Sequence, residues 1–107
     1  MATQQLSAQE LHAKLSNNEA VFLLDVREPP EFDYAHIEGS VLIPLNQVPK
    51  RLTEINTDLP IVVICHHGMR SQQAADYLAH VGYKNVANLQ GGIDMWSRTV
   101  DDSVRRY

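Results

Sequence analysis

Residues 61–71, IVVICHHGMRS, constrain this chain more than any other stretch. Four branched apolar residues, Ile61, Val62, Val63 and Ile64, run straight into Cys65, the single cysteine of the chain. A continuous β-branched run bounded by turn residues predicts a fully buried strand, parallel and central in its sheet. His66, His67, Gly68, Met69, Arg70 and Ser71 follow, and then a helix-forming run begins. Strand, turn and helix in that order put the cysteine at the carboxyl end of the strand, where open α/β sheets hold their ligands. The helix start aims unpaired N–H groups and a partial positive charge at the sulfur, which favours a thiolate. Gly68 lets the backbone curl tightly, and Arg70 adds a planar cation suited to oxyanions. The stretch reads as a nucleophilic cysteine in an anion-accepting cradle. A buried, inert thiol accounts for the strand and the cysteine equally well. It does not account for two histidines, a glycine and an arginine where a simple turn would serve.

The rest of the chain narrows the function classes. At 107 residues it is expected to be one domain, 1–107, with a core of its own and a loosely packed tail over residues 100–107. Net charge is −4 and no basic run precedes Arg105-Arg106, which argues against nucleic acid. No apolar run approaches the roughly 18 residues of a membrane span, and the N-terminus lacks the pattern of a secretory signal. One cysteine excludes an internal disulfide, a C-x-x-C pair and a multi-cysteine zinc site. A free thiol fits a reducing compartment, and the cytoplasm is expected. His66 and His67 have too few neighbouring ligands for a metal, and no cofactor is expected.

Residues 6–11, LSAQEL, carry a helix start: Ser7 caps, Glu10 completes a capping box, and Leu6 and Leu11 suit a hydrophobic staple. Asn17-Asn18 ends that helix. Residues 20–26 are predicted as a second buried strand, bringing Asp25 and Arg27 to the sheet edge that carries Cys65. A short helix follows Pro29-Pro30, and a short strand spans residues 40–43 before Pro44. Pro49 suits the first turn of a further helix that turns Leu52 and Ile55 inward. Residues 72–81 read as a helix with Ala74, Ala75, Leu78, Ala79 and Val81 on its core face, stopped by Gly82. Residues 84–89, KNVANL, read as the most polar strand, near an edge, before Gly91-Gly92 and a short helix through Trp96. Strands alternating with helices predict an α/β/α layered domain on a mainly parallel sheet of about five strands.

In this order and spacing the chain resembles a single-domain rhodanese. The resemblance rests on Asp25-Val26-Arg27-Glu28 with Glu31-Phe32, His36-Ile37 with Gly39-Ser40, Pro44, the loop from Cys65 to Ser71, and Leu89-Gln90-Gly91-Gly92 with Trp96. It departs from the family pattern at Ala35, where glycine is common, and at Glu38, where proline is common. The resemblance implies a three-layer rhodanese-like fold and a sulfurtransferase. Such a protein takes a sulfane sulfur from thiosulfate or a similar donor onto Cys65 as a persulfide. It then passes that sulfur to cyanide, a small thiol or a protein thiol. Related phosphatases have five residues between cysteine and arginine; here four separate Cys65 from Arg70, a ring better suited to one sulfur than to a phosphate.

Under this reading the amides of residues 66–71 cradle the persulfide, with Gly68 and Ser71 as backbone and capping positions that shape it. Arg70 meets the donor's sulfonate or is a surface arginine. One of His66 and His67 at most faces the site. Met69 forms an apolar lip or packs inside. Asp25 and Arg27 form a supporting ion pair or brace a loop, together with Glu31. Two functions remain open: an enzyme turning over thiosulfate, and a relay module that exchanges sulfur only with partner proteins.

Overall fold

The computed structural model describes residues 3–107; Met1 and Ala2, the start of the expected domain, lie outside the described residues. Its sheet comprises β1 (Gln4–Leu6), β2 (Phe22–Asp25), β3 (Val41–Leu42), β4 (Ile61–Ile64) and β5 (Val86–Leu89). They pair in the order β1-β5-β4-β2-β3, every pair parallel. The helices are α1 (Ala8–Ser16), α2 (Pro29–Tyr34), α3 (Met69–His80) and α4 (Gly92–Thr99).

The continuous apolar character of β4 is explained by what covers it. Val63 and Cys65 face one core with Leu24, Val26, Ala74, Ala75 and Leu78, beneath α3. Val62 and Ile64 face a second core with Leu11, Leu23, Ile93 and Trp96, beneath α1 and α4. A strand buried on both faces has no polar alternation to display. Helices on both sides of the sheet give the three layers expected from the sequence.

Local signals place the elements. Ser7 Oγ accepts from the Glu10 amide at 3.0 Å while the Glu10 carboxylate accepts from the Ser7 amide at 2.8 Å, a complete capping box. Two prolines open α2, where their missing N–H groups cost nothing.

Several expectations are corrected. The polar strand near residues 84–89 lies near an edge, as expected, but one place in from it: β1 pairs outside it, and all four residues of β5 are buried. Pro49 lies within a 3₁₀ helix, Leu45–Lys50, rather than opening an α-helix, and a second 3₁₀ turn, Leu52–Glu54, carries the chain to the buried Ile55. Helix α3 begins at Met69 with Gly68 as its N-cap, so Ser71 is a first-turn residue and not a cap. Val81 is exposed beyond the end of α3. The tail is anchored: Val104 is buried in the second core and Tyr107 reaches Arg27.

Candidate active site

Strands β2, β4 and β5 all end at one edge of the sheet, and the candidate residues gather there. Cys65 directly follows β4, and its Sγ lies at the wall of an open cavity of about 720 Å³. Glu31, His66, His67, Met69, Arg70, Gln73 and Tyr107 complete the lining. Cys65 is 1% exposed, and the cavity is the opening it lines.

The loop's shape depends on two glycines. Gly68 has φ +103°, a conformation that side chains rarely adopt, and it turns its amide onto Cys65 Sγ at 3.0 Å. Gly92, with φ +62°, packs directly on the Cys65 and His66 carbonyls, where any Cβ would collide. Through that contact Ile93 N donates to Cys65 O at 2.8 Å and Asp94 N to His66 O at 3.1 Å. The start of α4 therefore braces the loop through Gly92, while Gly91 is the N-cap of the helix.

Ser71 is fully buried, its Oγ 3.3 Å from Sγ and in short contact with Asn88 Oδ1. Met69 is 80% exposed on the lip, so the core-packing alternative for it falls away. His66 and His67 both line the cavity, where at most one was expected; their rings meet edge-on at 4.0 Å. Burial and the neighbouring His67 push the His66 imidazole below its usual value, which leaves it neutral near pH 7. His67 is exposed, with Nε2 3.8 Å from Asp94. His66, His67 and Asp94 cluster closely enough to approach a metal, but Asp94 is also shared with Arg98 and Arg106. Those two cations oppose a metal charge.

The charged groups are paired. Arg70 presents its fork to Glu31 with Nη1–Oε1 at 2.7 Å and Nη2–Oε2 at 2.9 Å. Hydrogen bonds from Arg70 outweigh burial and hold the Glu31 carboxyl down at about 2. The same pair raises Arg70 well above the usual guanidinium value. Asp25 and Arg27 form a fully buried ion pair at 2.7 Å, and Arg27 also donates to the Ala35 carbonyl at 2.7 Å. Burial opposes the Arg27 charge, but the bonds to Asp25 prevail and raise its value. Glu31 joins that pair only through its backbone carbonyl, 3.4 Å from Arg27 Nη1; its carboxylate serves Arg70. His36 braces its turn, Nδ1 lying 2.8 Å from the Phe32 carbonyl.

Tyr107 was not anticipated. Its hydroxyl accepts from Arg27 at 2.8 Å and donates to Glu31 at 2.9 Å, and its ring lies 4.1 Å from that of His66. Burial first, and the bond to Glu31, push its phenol up to about 12. No local pattern announces a contact made 76 residues away in sequence. Asn88 was also missed, because beside Lys84 and Asn85 its polarity read as that of the whole strand.

This arrangement sets one buried sulfur at a sheet edge beside an open cavity, and a family comparison agrees with it. The sequence matches the Rhodanese-like domain family model over residues 7–99. The chain belongs to the rhodanese-like family. A putative sulfur carrier protein YrkF of Bacillus subtilis is 40% identical to it over 93 residues, covering 87% of this chain and 50% of the relative. Thiosulfate sulfurtransferase GlpE of Pseudoalteromonas translucida is 35% identical over 93 residues, covering 87% of this chain and 89% of the relative. A rhodanese-like domain protein from Staphylococcus aureus superposes with a TM-score of 0.85 at 27% identity, covering 98% and 99% of the two chains. Sulfur transfer is the general chemistry of this rhodanese-like domain, and its parallel five-stranded sheet is that of its structural neighbours.

Proposed function

We propose that Cys65 accepts a sulfane sulfur from thiosulfate or a similar donor and passes it on to cyanide, a small thiol or a protein thiol. The observation that carries this reading is the placement of Sγ under the Gly68 amide, 3.0 Å away, with Cys65 lining an open cavity of about 720 Å³. The ionised sulfur attacks the outer sulfur of thiosulfate. A new S–S bond forms, the donor's S–S bond breaks, and sulfite leaves with the electron pair. The acceptor thiolate or cyanide then attacks the outer sulfur of the persulfide, and Cys65 leaves as thiolate. Loop amides next to the outer sulfur would stabilise its charge as an oxyanion hole does. The chain holds no second cysteine, so the persulfide is discharged to another molecule. Among the described residues no helix is long and apolar enough to cross a membrane. The free thiol favours the cytoplasm as the place where it works.

A second reading is favoured by specific features. Arg70 is not a free cation but is already bound to Glu31, and Met69 stands 80% exposed at the lip. A pocket mouth with paired charges and an apolar rim suits a docked protein better than a small dianion. The similarity to a putative sulfur carrier protein supports that relay as much as the similarity to a thiosulfate sulfurtransferase supports the enzyme.

Intact mass spectrometry tests both. Thiosulfate is expected to add one sulfur to the wild type and none to Cys65→Ser, and cyanide is expected to remove it as thiocyanate. A folded wild type that stays unmodified would move the assignment to the relay. A Cys65→Ser variant with normal sulfur transfer would end the Cys65 mechanism altogether.

A further inference from the structure

A chain of side-chain hydrogen bonds runs from the exposed carboxylate of Asp76 to Cys65, and its direction can be read link by link. A carboxylate only accepts. Asp76 Oδ1 therefore takes the Gln72 Nε2 proton at 2.9 Å, alongside the Thr3 hydroxyl at 2.7 Å. That turns Gln72 Oε1 toward Asn88, whose Nδ2 donates to it at 3.2 Å and to Gln5 Oε1 at 3.0 Å. With its amino group committed to two acceptors, Asn88 must present Oδ1 to Ser71 and receive the hydroxyl proton. Ser71 has one such proton. The same hydroxyl lies 3.3 Å from Cys65 Sγ, so what it turns to the sulfur is a lone pair.

We propose that Asn88 is a positioning residue that holds the Ser71 proton off Cys65 and so decides which sulfur carries negative charge. In the thiol state the Cys65 S–H donates to Ser71 Oγ and every group in the chain is satisfied. When the thiol proton leaves to solvent, charge appears on Sγ and Ser71 must swing its O–H toward it. Asn88 Oδ1, on a residue only 4% exposed, then loses its donor. In the persulfide the charge sits on the outer sulfur, Sγ is bonded on both sides, and Ser71 stays on Asn88. The chain thus favours the resting thiol and the loaded persulfide over the bare thiolate between them. This rests on the reading of Cys65 as sulfur carrier, but its test needs no sulfur donor.

The test is the pH profile of Cys65 alkylation by iodoacetamide. Asn88→Leu removes the acceptor and frees the Ser71 proton for Sγ. The profile is expected to move to lower pH, with alkylation at pH 6 about threefold to tenfold faster, a shift of about half a unit to one unit. In a Ser71→Ala background the same substitution is expected to change nothing. An unchanged profile, or an equal shift without Ser71, would overturn the proposal. Should Asn88→Leu fail to fold, the Gln5→Ala, Gln72→Ala double variant lets the Asn88 amide flip its amino group toward Ser71. It is expected to move the profile in the same direction, and a folded double variant with a wild-type profile overturns the proposal as well. Failure of sulfur loading with the alkylation shifts intact would instead count against the sulfur-carrier reading alone.

Discussion

At the scale of single residues, the site's charges come as pairs, and this determines what a substitution reports. Arg70 and Glu31 neutralise one another at the cavity wall. Removing Arg70 does more than delete a cation: it leaves the Glu31 carboxylate, ordinarily held at about 2, facing an anionic donor. Arg70→Ala is expected to lower kcat/KM for thiosulfate about tenfold or more, the equivalent of about 1.4 kcal/mol per decade. Most of that loss should be relieved in the Arg70→Ala, Glu31→Gln double variant, because the uncompensated negative charge is gone. Steady-state kinetics with thiosulfate and cyanide on the two variants distinguishes the cases. A double variant as poor as the single one would mean that Arg70 meets the donor directly, as the sequence alone had allowed. Thiosulfate is the right probe here because its charge is what the pair would feel.

At the scale of elements, the first turn of α4 holds the loop after Cys65 from behind. Gly92 touches the Cys65 and His66 carbonyls at positive φ, so Gly92→Ala meets both a collision and a strained backbone. Strain of this kind costs about 1–3 kcal/mol, and the collision with backbone has no flexible side chain to relieve it. The denaturation midpoint should fall accordingly. Sulfur loading should fall further than stability does, because the displaced atoms belong to the cysteine itself; equal losses would make Gly92 a packing residue only. This is also where the sequence was legible and where it was not. The strand of β-branched residues, the Ser7 capping box and the glycine pair announce themselves locally, since each depends on neighbours a few residues away. Residues 4–6, QQL, give no such sign, because their place in the sheet comes from pairing with β5 rather than from any pattern of their own. Missing β1 hid the strand that lies outside β5, and left Asn88 looking like ordinary strand polarity. Arg70 was readable as a loop cation, but its partner Glu31 lies 39 residues away, and only the folded chain shows that the cation is already occupied.

At the scale of the whole molecule, Glu31 ties three distant parts together: α2 carries it, α3 supplies Arg70, and the tail supplies Tyr107. Its carboxyl titrates at about 2 when folded, against 4.5 for an ordinary glutamate. A carboxyl lowered on folding contributes stability that is fully present above its unfolded value and is lost as pH falls through its folded value. The contribution should therefore stand at pH 5 and above, and fade between about 4.5 and about 2. The side chain is 22% exposed, so solvent screening trims the effect to something on the order of 1–2 kcal/mol. Urea unfolding of the wild type and Glu31→Gln at several pH values isolates it. At pH 7 the variant should be the less stable of the two. The gap should narrow below pH 4.5 and nearly close at pH 2, where the wild-type carboxyl is itself becoming neutral. The comparison cancels the other carboxylates, which titrate in both proteins alike. A gap that stays constant down to pH 2 would show that Glu31 stabilises through shape and packing, and that its bonds to Arg70 and Tyr107 add nothing that depends on charge.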